Sequence, residues 1–325
     1  MFRFIVVVAL LAGLVWGAFQ LERMHFDAPG PTAANGATET IVLVQPGEGL
    51  AAISQELAQA DAIDNAILFQ IGVRLRGKSG ALKAGEYAIL SRASMADIMA
   101  ILASGKSIEH KITAAEGLTS QMIYDLVKND PELTGDMGEL PAEGTLLPET
   151  YLFIRGTTRS DIVERMREAQ EKYLDAQWDA RASNLPVRNK REALVLASIV
   201  EKETALPEER RHIAAVFVNR LRLGMKLQSD PTIIYGLTQG YPLGRGIRES
   251  ELIRATPYNT YVIAGLPPTP ICNPGKDAIA AVLNPEVSND LYFVATGAGG
   301  HVFSASIEEH EKNVANLRRF EHQQR

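Results

Sequence analysis

The stretch LVLASIVEKETALPEERRHIAAVFVNRLRLGMKLQSDPTIIYGL, Leu194 to Leu237, sets the reading of this chain. Ala193 to Val200 is an unbroken run of small or aliphatic residues and leads straight into Glu201-Lys202-Glu203-Thr204. Such a run reads as a buried helix segment, although its length alone does not exclude a strand. As a helix it places Leu194, Ala197, Ser198 and Glu201 on one face, because offsets of three, four and seven return to the same side. Glu203 shares a different face, with Leu196, Ile199 and Val200. A carboxylic acid at the end of a buried helix is partly desolvated, which disfavours its charged form. A carboxyl held protonated near neutral pH is what a general acid needs. A glutamate can equally mark the point where a buried helix reaches solvent, and spacing does not separate the two readings.

Outward from this run, Pro207 opens a second helix, with Glu208 and Glu209 in the first turn where the helix dipole favours them. Ile213, Val216, Phe217 and Leu221 form its buried stripe, and Gly224 closes it as a left-handed cap. Asp230-Pro231 imposes an extended or turn conformation at Asp230. Gln228, Ser229 and Asp230 are therefore expected on a loop after a helix packed near Glu201.

The chain has 325 residues, enough for two domains or one large domain with modules. Its net charge is −6, and its basic residues form no stripe, which argues against nucleic acid as a partner. The single cysteine, Cys272, rules out an intramolecular disulfide and any multi-cysteine zinc site. No HExxH motif occurs. His301 and His310 are separated by a hairpin and the start of a helix, so no metal site is expected. No GxSxG occurs either, and Ser229 has no base partner in the sequence. The glycines of Thr296 to Gly300 form no GxGxxG or Walker pattern and open no helix. No cofactor is expected. Carboxyl chemistry remains, and Tyr, Asn and Gln near a buried Glu suit sugar, since aromatic faces stack on pyranose rings and amides bond hydroxyls.

Phe4 to Phe19 is free of charge, and with Phe2 and Leu21 the apolar span approaches the length needed to cross a bilayer. Residues 1–22 are expected to be an uncleaved transmembrane anchor rather than a signal peptide, with a cytoplasmic N-terminus. That topology puts the rest of the chain outside the cytoplasm, at the inner (plasma) membrane. Residues 23–40, rich in Pro, Gly, Ala and Thr over Asp27 to Thr40, read as a flexible linker. Residues 41–105 hold a strand at Ile41 to Val44, helices at Leu50 to Leu57 and Ala66 to Leu75, and a strand at Gly85 to Leu90. This βααβ order is similar to a LysM-type carbohydrate-binding module, and a small packing domain is the equal alternative. Ser94 with Asp97 makes a capping-box start to a further helix.

Residues 106–325 are read as the catalytic domain. Its elements include a helix at Ser120 to Lys128, a turn-rich segment at Glu143 to Phe153, a long amphipathic helix at Ser160 to Trp178, and a hairpin of Leu291 to Ala295 with His301 to Ser304. Glu143 and Glu149 are candidate second carboxyls. The expected fold class is α+β: a transmembrane helix, a LysM-like βααβ module and a mixed α/β catalytic domain.

Five blocks carry a family resemblance: EGTLLPETY (Glu143 to Tyr151), ASIVEKET (Ala197 to Thr204), NRLRLGMKLQSDPTIIYG (Asn219 to Gly236), PYNTYVIAGLPPTPICNPG (Pro257 to Gly275) and YFVATGAGGHVFS (Tyr292 to Ser304). Together, and in this order, they resemble the YceG-like endolytic murein transglycosylases. Cys272 is the one visible departure. The resemblance implies a lyase that cuts peptidoglycan glycan strands internally, near sites of synthesis, and it carries the catalytic role onto Glu201. It implies that one carboxyl protonates the glycosidic oxygen between N-acetylmuramic acid and N-acetylglucosamine. The same carboxyl then takes the proton of the muramic C6 hydroxyl, leaving a 1,6-anhydro end. Gln228, Ser229, Asp230, Asn259 and Tyr261 are the expected substrate-binding residues, on polarity and loop placement. Synthases as partners are implied by the resemblance alone. Three other readings stay open: an inverting hydrolase with Asp230, Glu143 or Glu149 as second carboxyl, a glycan-binding scaffold without turnover, and a tethered interaction protein of a synthesis complex.

Overall fold

The computed structural model describes residues 2–323. Among them lie twelve α-helices and three two-stranded sheets, a mixed α/β architecture in which helices do most of the packing. The chain divides into two units. The first runs to Lys111 and takes in Glu132–Thr134 and Leu152–Thr157, and the second holds the remainder.

The first unit begins with α1 (Phe2–Asp27), followed by β1 (Glu39–Val44), α2 (Leu50–Gln59), α3 (Ala66–Leu75), β2 (Gly85–Leu90) and α4 (Met95–Ser104). β1 and β2 pair antiparallel, with Ile41 opposite Ala88 and Val42 opposite Tyr87. Val42, Val44, Tyr87 and Ile89 alternate into a core completed by Ile53, Leu57, Phe69, Ile98 and Leu102. At Ser94 both bonds of the capping box form with Asp97.

The expected transmembrane helix, and with it the expected fold class, is corrected here. Among the described residues no helix is long and apolar enough to cross a membrane. α1 runs on to Asp27 through Glu22, Arg23 and His25, and its last turns are packing elements of the first unit. Phe26 is fully buried and stacks on Phe69 with centroids 6.0 Å apart. The Arg76 guanidinium sits 3.9 Å over the Phe26 ring and bonds Glu22 at 2.8 Å. A Cβ on Gly72 would meet the Phe26 ring at 2.2 Å, so the helix approach requires glycine there.

β3 (Glu109–Thr113) pairs with β4 (Thr150–Ile154), and α5 (Ser120–Lys128) lies between them in sequence. The second unit continues with α6 (Arg159–Asp179), α7 (Lys190–Glu203), α8 (Pro207–Arg222), α9 (Asp230–Thr238), α10 (Glu249–Leu252) and α11 (Lys276–Leu283). It closes with the hairpin β5 (Tyr292–Ala295) and β6 (His301–Ser304) and the final α12 (Ile307–Gln323). Ala193 to Val200 are all buried, so α7 is the central rod of this unit, packed by α8 and α11. Each large aliphatic side chain buried there contributes about 1.5–3 kcal/mol. α6 is capped by Thr158, two residues ahead of Ser160, because the Thr158 hydroxyl accepts from the Asp161 N–H.

Candidate active site

α7 emerges from the core at its C-terminal turn and presents two carboxylates there, Glu201 and Glu203. Two residues on a helix are about 200° apart around the axis, so the two side chains leave α7 in nearly opposite directions.

Glu201 points toward the start of α11, where its Oε2 accepts the Gly275 N–H at 2.8 Å. Burial raises its pKa, the Gly275 N–H opposes that rise, and Glu116 adds to it, while Arg210 and Lys202 lower it. Its neighbours are structural. Arg210 is buried and bonds Asp277 at 3.0 Å, and a Cβ on Gly275 would fall 1.8 Å from Glu116 Oε1. Glu201 thus satisfies an orphan N–H at a helix start, the usual task of a capping acceptor.

Glu203 enters a groove of about 400 Å³, lined by Glu203, Arg220, Gln228, Asp230, Tyr261 and Tyr292 among others, and Glu201 is not among the lining residues. The Ser229 hydroxyl donates to Glu203 Oε1 at 2.5 Å. Burial pushes the Glu203 carboxyl up to about 7, with the Ser229 bond opposing and Asp230 adding to the rise. His301 and Arg220 pull the other way.

Asp230-Pro231 opens α9 rather than prolonging a loop. Proline suits the first turn of a helix, where its missing N–H is no loss. Gln228 sits just before it at φ +54°, in the left-handed region. That conformation costs a non-glycine residue about 1 kcal/mol or more. Several contacts over-determine it. The Gln228 N–H donates to Thr260 O at 3.2 Å, and Arg220 Nη1 donates to Leu227 O at 2.8 Å and to Gln228 Oε1 at 3.3 Å. Arg220 Nε also holds Leu291 O at 2.6 Å, tying this loop to the strand that carries Tyr292 and Phe293.

The five polar residues expected to bind substrate separate into two groups. Gln228, Asp230 and Tyr261 line the groove, and the Tyr261 hydroxyl donates to Asp230 Oδ1 at 2.7 Å. Ser229 is 1% exposed and is not among the lining residues, and its hydroxyl is committed to Glu203. Asn259 is also 1% exposed, and its amide donates to the carbonyls of Glu251, Leu252 and Arg254 at 2.8–3.1 Å. Those bonds tie off the end of α10. Glu143 lies elsewhere, accepting from Ser120 N and from Tyr235, while Glu149 pairs with Lys276 at the surface. Among the described residues no cluster of His, Cys, Asp and Glu could hold a metal ion.

Arg220, Tyr292, Phe293 and His310 line the groove without having been singled out as binding residues in the sequence. Only the aromatic pair in YFVATGAGGHVFS gave a local signal. Arg220 is one of several cations on α8, and His310 lies on a helix rich in charge.

The architecture matches a known family. A model of the YceG-like family matches residues 42–316. The chain belongs to the YceG-like family. It is 31% identical to an endolytic murein transglycosylase of Bacillus subtilis, over 92% of this chain and 89% of that protein. It is 30% identical to an endolytic murein transglycosylase of Streptococcus pneumoniae, over 96% of this chain, and spans 64% of that relative's length. A crystal structure of a putative yceG-like protein from Listeria monocytogenes aligns with a TM-score of 0.52 at 30% identity, covering 85% of this chain and 98% of the other. In this chain the groove at the end of α7 brings together a carboxyl raised to about 7, a second acidic residue, a guanidinium and aromatic rings.

Proposed function

We propose that this protein is an endolytic murein transglycosylase and that Glu203 is its acid–base carboxyl. The observation that carries the proposal is Glu203 itself, a carboxyl raised to about 7 inside a groove lined by Gln228, Asp230, Tyr261 and Tyr292. The names of the Bacillus subtilis and Streptococcus pneumoniae relatives support the substrate class. Polymeric glycan is met by aromatic faces at Tyr292 and Phe293 and by polar groups at Gln228 and Tyr261.

The steps follow from one carboxyl near neutrality. Protonated Glu203 donates to the glycosidic oxygen as the bond to the muramic C1 breaks. Positive charge at C1 develops beside Asp230, a carboxylate in the same groove. The ionised Glu203 then takes the proton of the muramic C6 hydroxyl, whose oxygen bonds to C1. The product is a 1,6-anhydro end, no water is consumed, and Glu203 ends protonated as it began. The proton-transfer role thus falls to Glu203, two residues beyond Glu201. Glu201 is committed to the Gly275 N–H and stands outside the groove.

Asp230 also supports a second reading. An inverting hydrolase needs two carboxyls about 6.5–9.5 Å apart with water between them, and Asp230 shares the groove with Glu203. Product mass separates the two. Incubation of the protein with peptidoglycan yields, on the transglycosylase reading, muropeptides one water lighter than hydrolysed ones. Asp230→Asn would then lower the rate but leave the product unchanged. Hydrolysed mass, abolished by Asp230→Asn, would establish the hydrolase.

A further inference from the structure

The final helix supplies the groove with a group that the proposed steps do not use. His310 lines the groove from α12. Its ring lies on Tyr292 with centroids 5.1 Å apart and planes 24° apart. Arg220 also meets this ring, with its guanidinium carbon 5.1 Å from the Tyr292 centroid. Arg220, Tyr292 and His310 are thus in mutual contact through the Tyr292 ring, and Glu203 and Asp230 line the same groove.

The two ring nitrogens of His310 differ. Nδ1 is buried with no hydrogen-bond partner, whereas Nε2 is not among the buried unpartnered atoms and makes no bond to a described residue. A neutral imidazole carries one N–H and one bare nitrogen. Burial and the nearby Arg220 lower the pKa of His310 against a smaller opposing pull from Glu311, which favours the neutral ring. A buried, unbonded N–H is the rarer and costlier orphan, so the proton belongs on Nε2. The accessible nitrogen is then a donor. Arg220 spends Nε and Nη1 on backbone carbonyls and on Gln228. Its Nη2 makes no bond to a described residue and is a second donor in the same groove. Two donors on an aromatic ledge fit a carbonyl oxygen attached to a sugar.

We propose that His310 is a substrate-contacting residue, whose Nε2–H, beside Arg220, donates to an amide carbonyl on an N-acylated sugar of the bound glycan. That carbonyl belongs either to the 2-acetamido group, present on every residue of the strand, or to the 3-O-lactyl amide, present on muramoyl residues alone. The inference rests on the glycan reading of the groove.

The test uses the full chain carrying Glu203→Gln, so that bound glycan is not turned over, and isothermal titration with two ligands. Chitohexaose offers acetamido groups only, and a purified peptide-bearing murein strand offers both. His310→Phe keeps a ring on Tyr292 and removes the donor. His310→Gln places an amide N–H nearby. One lost hydrogen bond of about 1–1.4 kcal/mol corresponds to a roughly five- to tenfold weaker Kd. The expected result is such a loss for His310→Phe and partial recovery for His310→Gln, with unchanged thermal midpoints. A loss with both ligands places the acetamido group at His310, and a loss with the murein strand alone places the lactyl amide there. Binding by His310→Phe within twofold of its parent for both ligands would overturn the proposal, since packing alone would then account for the ring. If the Glu203→Gln parent binds neither ligand, the glycan reading of the groove fails, and the proposal with it.

Discussion

The Ser229 hydroxyl donates to Oε1 of Glu203 at 2.5 Å and so joins the entry of α9 to the last turn of α7. Ser229 is itself fixed, because its N–H donates to Thr260 Oγ1 at 2.9 Å and its carbonyl accepts from Thr232 Oγ1 at 2.6 Å. The bond stabilises the ionised carboxylate and opposes the rise caused by burial. Ser229→Ala should therefore push the Glu203 pKa higher still. The step that needs a protonated acid fades as pH rises through that pKa, so the alkaline limb of kcat in the variant should move to higher pH. A kcat–pH profile checks this, and an unmoved limb would mean that Glu203 is not the group being titrated.

The same carboxyl has a signature in stability. Glu203 moves from an ordinary 4.5 to about 7 on folding, so between those values the folded chain holds a proton that the unfolded chain has released. Stability from this group is complete below 4.5 and is lost as pH rises through about 7. The displacement corresponds to about 3 kcal/mol. Glu203→Gln imitates the protonated form. It should match the parent near pH 4.5 and exceed it by up to about 3 kcal/mol at pH 8. Urea unfolding at the two pH values measures the difference, and a variant less stable than the parent at pH 8 would be the contrary result.

Asn259 should behave as a structural residue. Its amide serves three carbonyls at the end of α10 and its oxygen accepts the Tyr261 N–H at 2.9 Å. Asn259→Ala orphans several buried groups, each worth about 1–3 kcal/mol, and should lower the unfolding midpoint sharply. The folded fraction should keep a KM within about threefold of the parent, a margin set by a difference of well under 1 kcal/mol. A large rise in KM at unchanged stability would return Asn259 to the substrate.

The parts of the chain that sequence could read are those governed by local rules. The buried character of Ala193–Val200, the Pro207 helix start, the Ser94 capping box and the hairpin flanking Thr296 to Gly300 all depend on neighbours in sequence. The apolar run near the N-terminus misled because hydropathy does not reveal that Phe26 and Glu22 dock on α3. The Asp230-Pro231 pair was read by what proline forbids before it, and α9 uses what proline permits after it. Helical periodicity placed Glu201 and Glu203 on different faces but not which face meets the groove, because the groove walls come from Arg220, Tyr261, Tyr292 and His310. Those walls assemble only in the folded chain, and no spacing rule links Glu203 to a histidine more than a hundred residues away.

The choice between the two carboxyls of α7 is the most direct test. Glu201→Gln keeps an acceptor for the Gly275 N–H, whereas Glu203→Gln removes the transferable proton from the groove. Release of 1,6-anhydro muropeptides from peptidoglycan should be measured for both variants beside the parent. The account predicts that Glu203→Gln loses about 100- to 10,000-fold, the range for a general acid–base. It predicts that Glu201→Gln stays within about tenfold, the scale of one weakened hydrogen bond. Full activity in Glu203→Gln, with activity abolished in a folded Glu201→Gln, would contradict it.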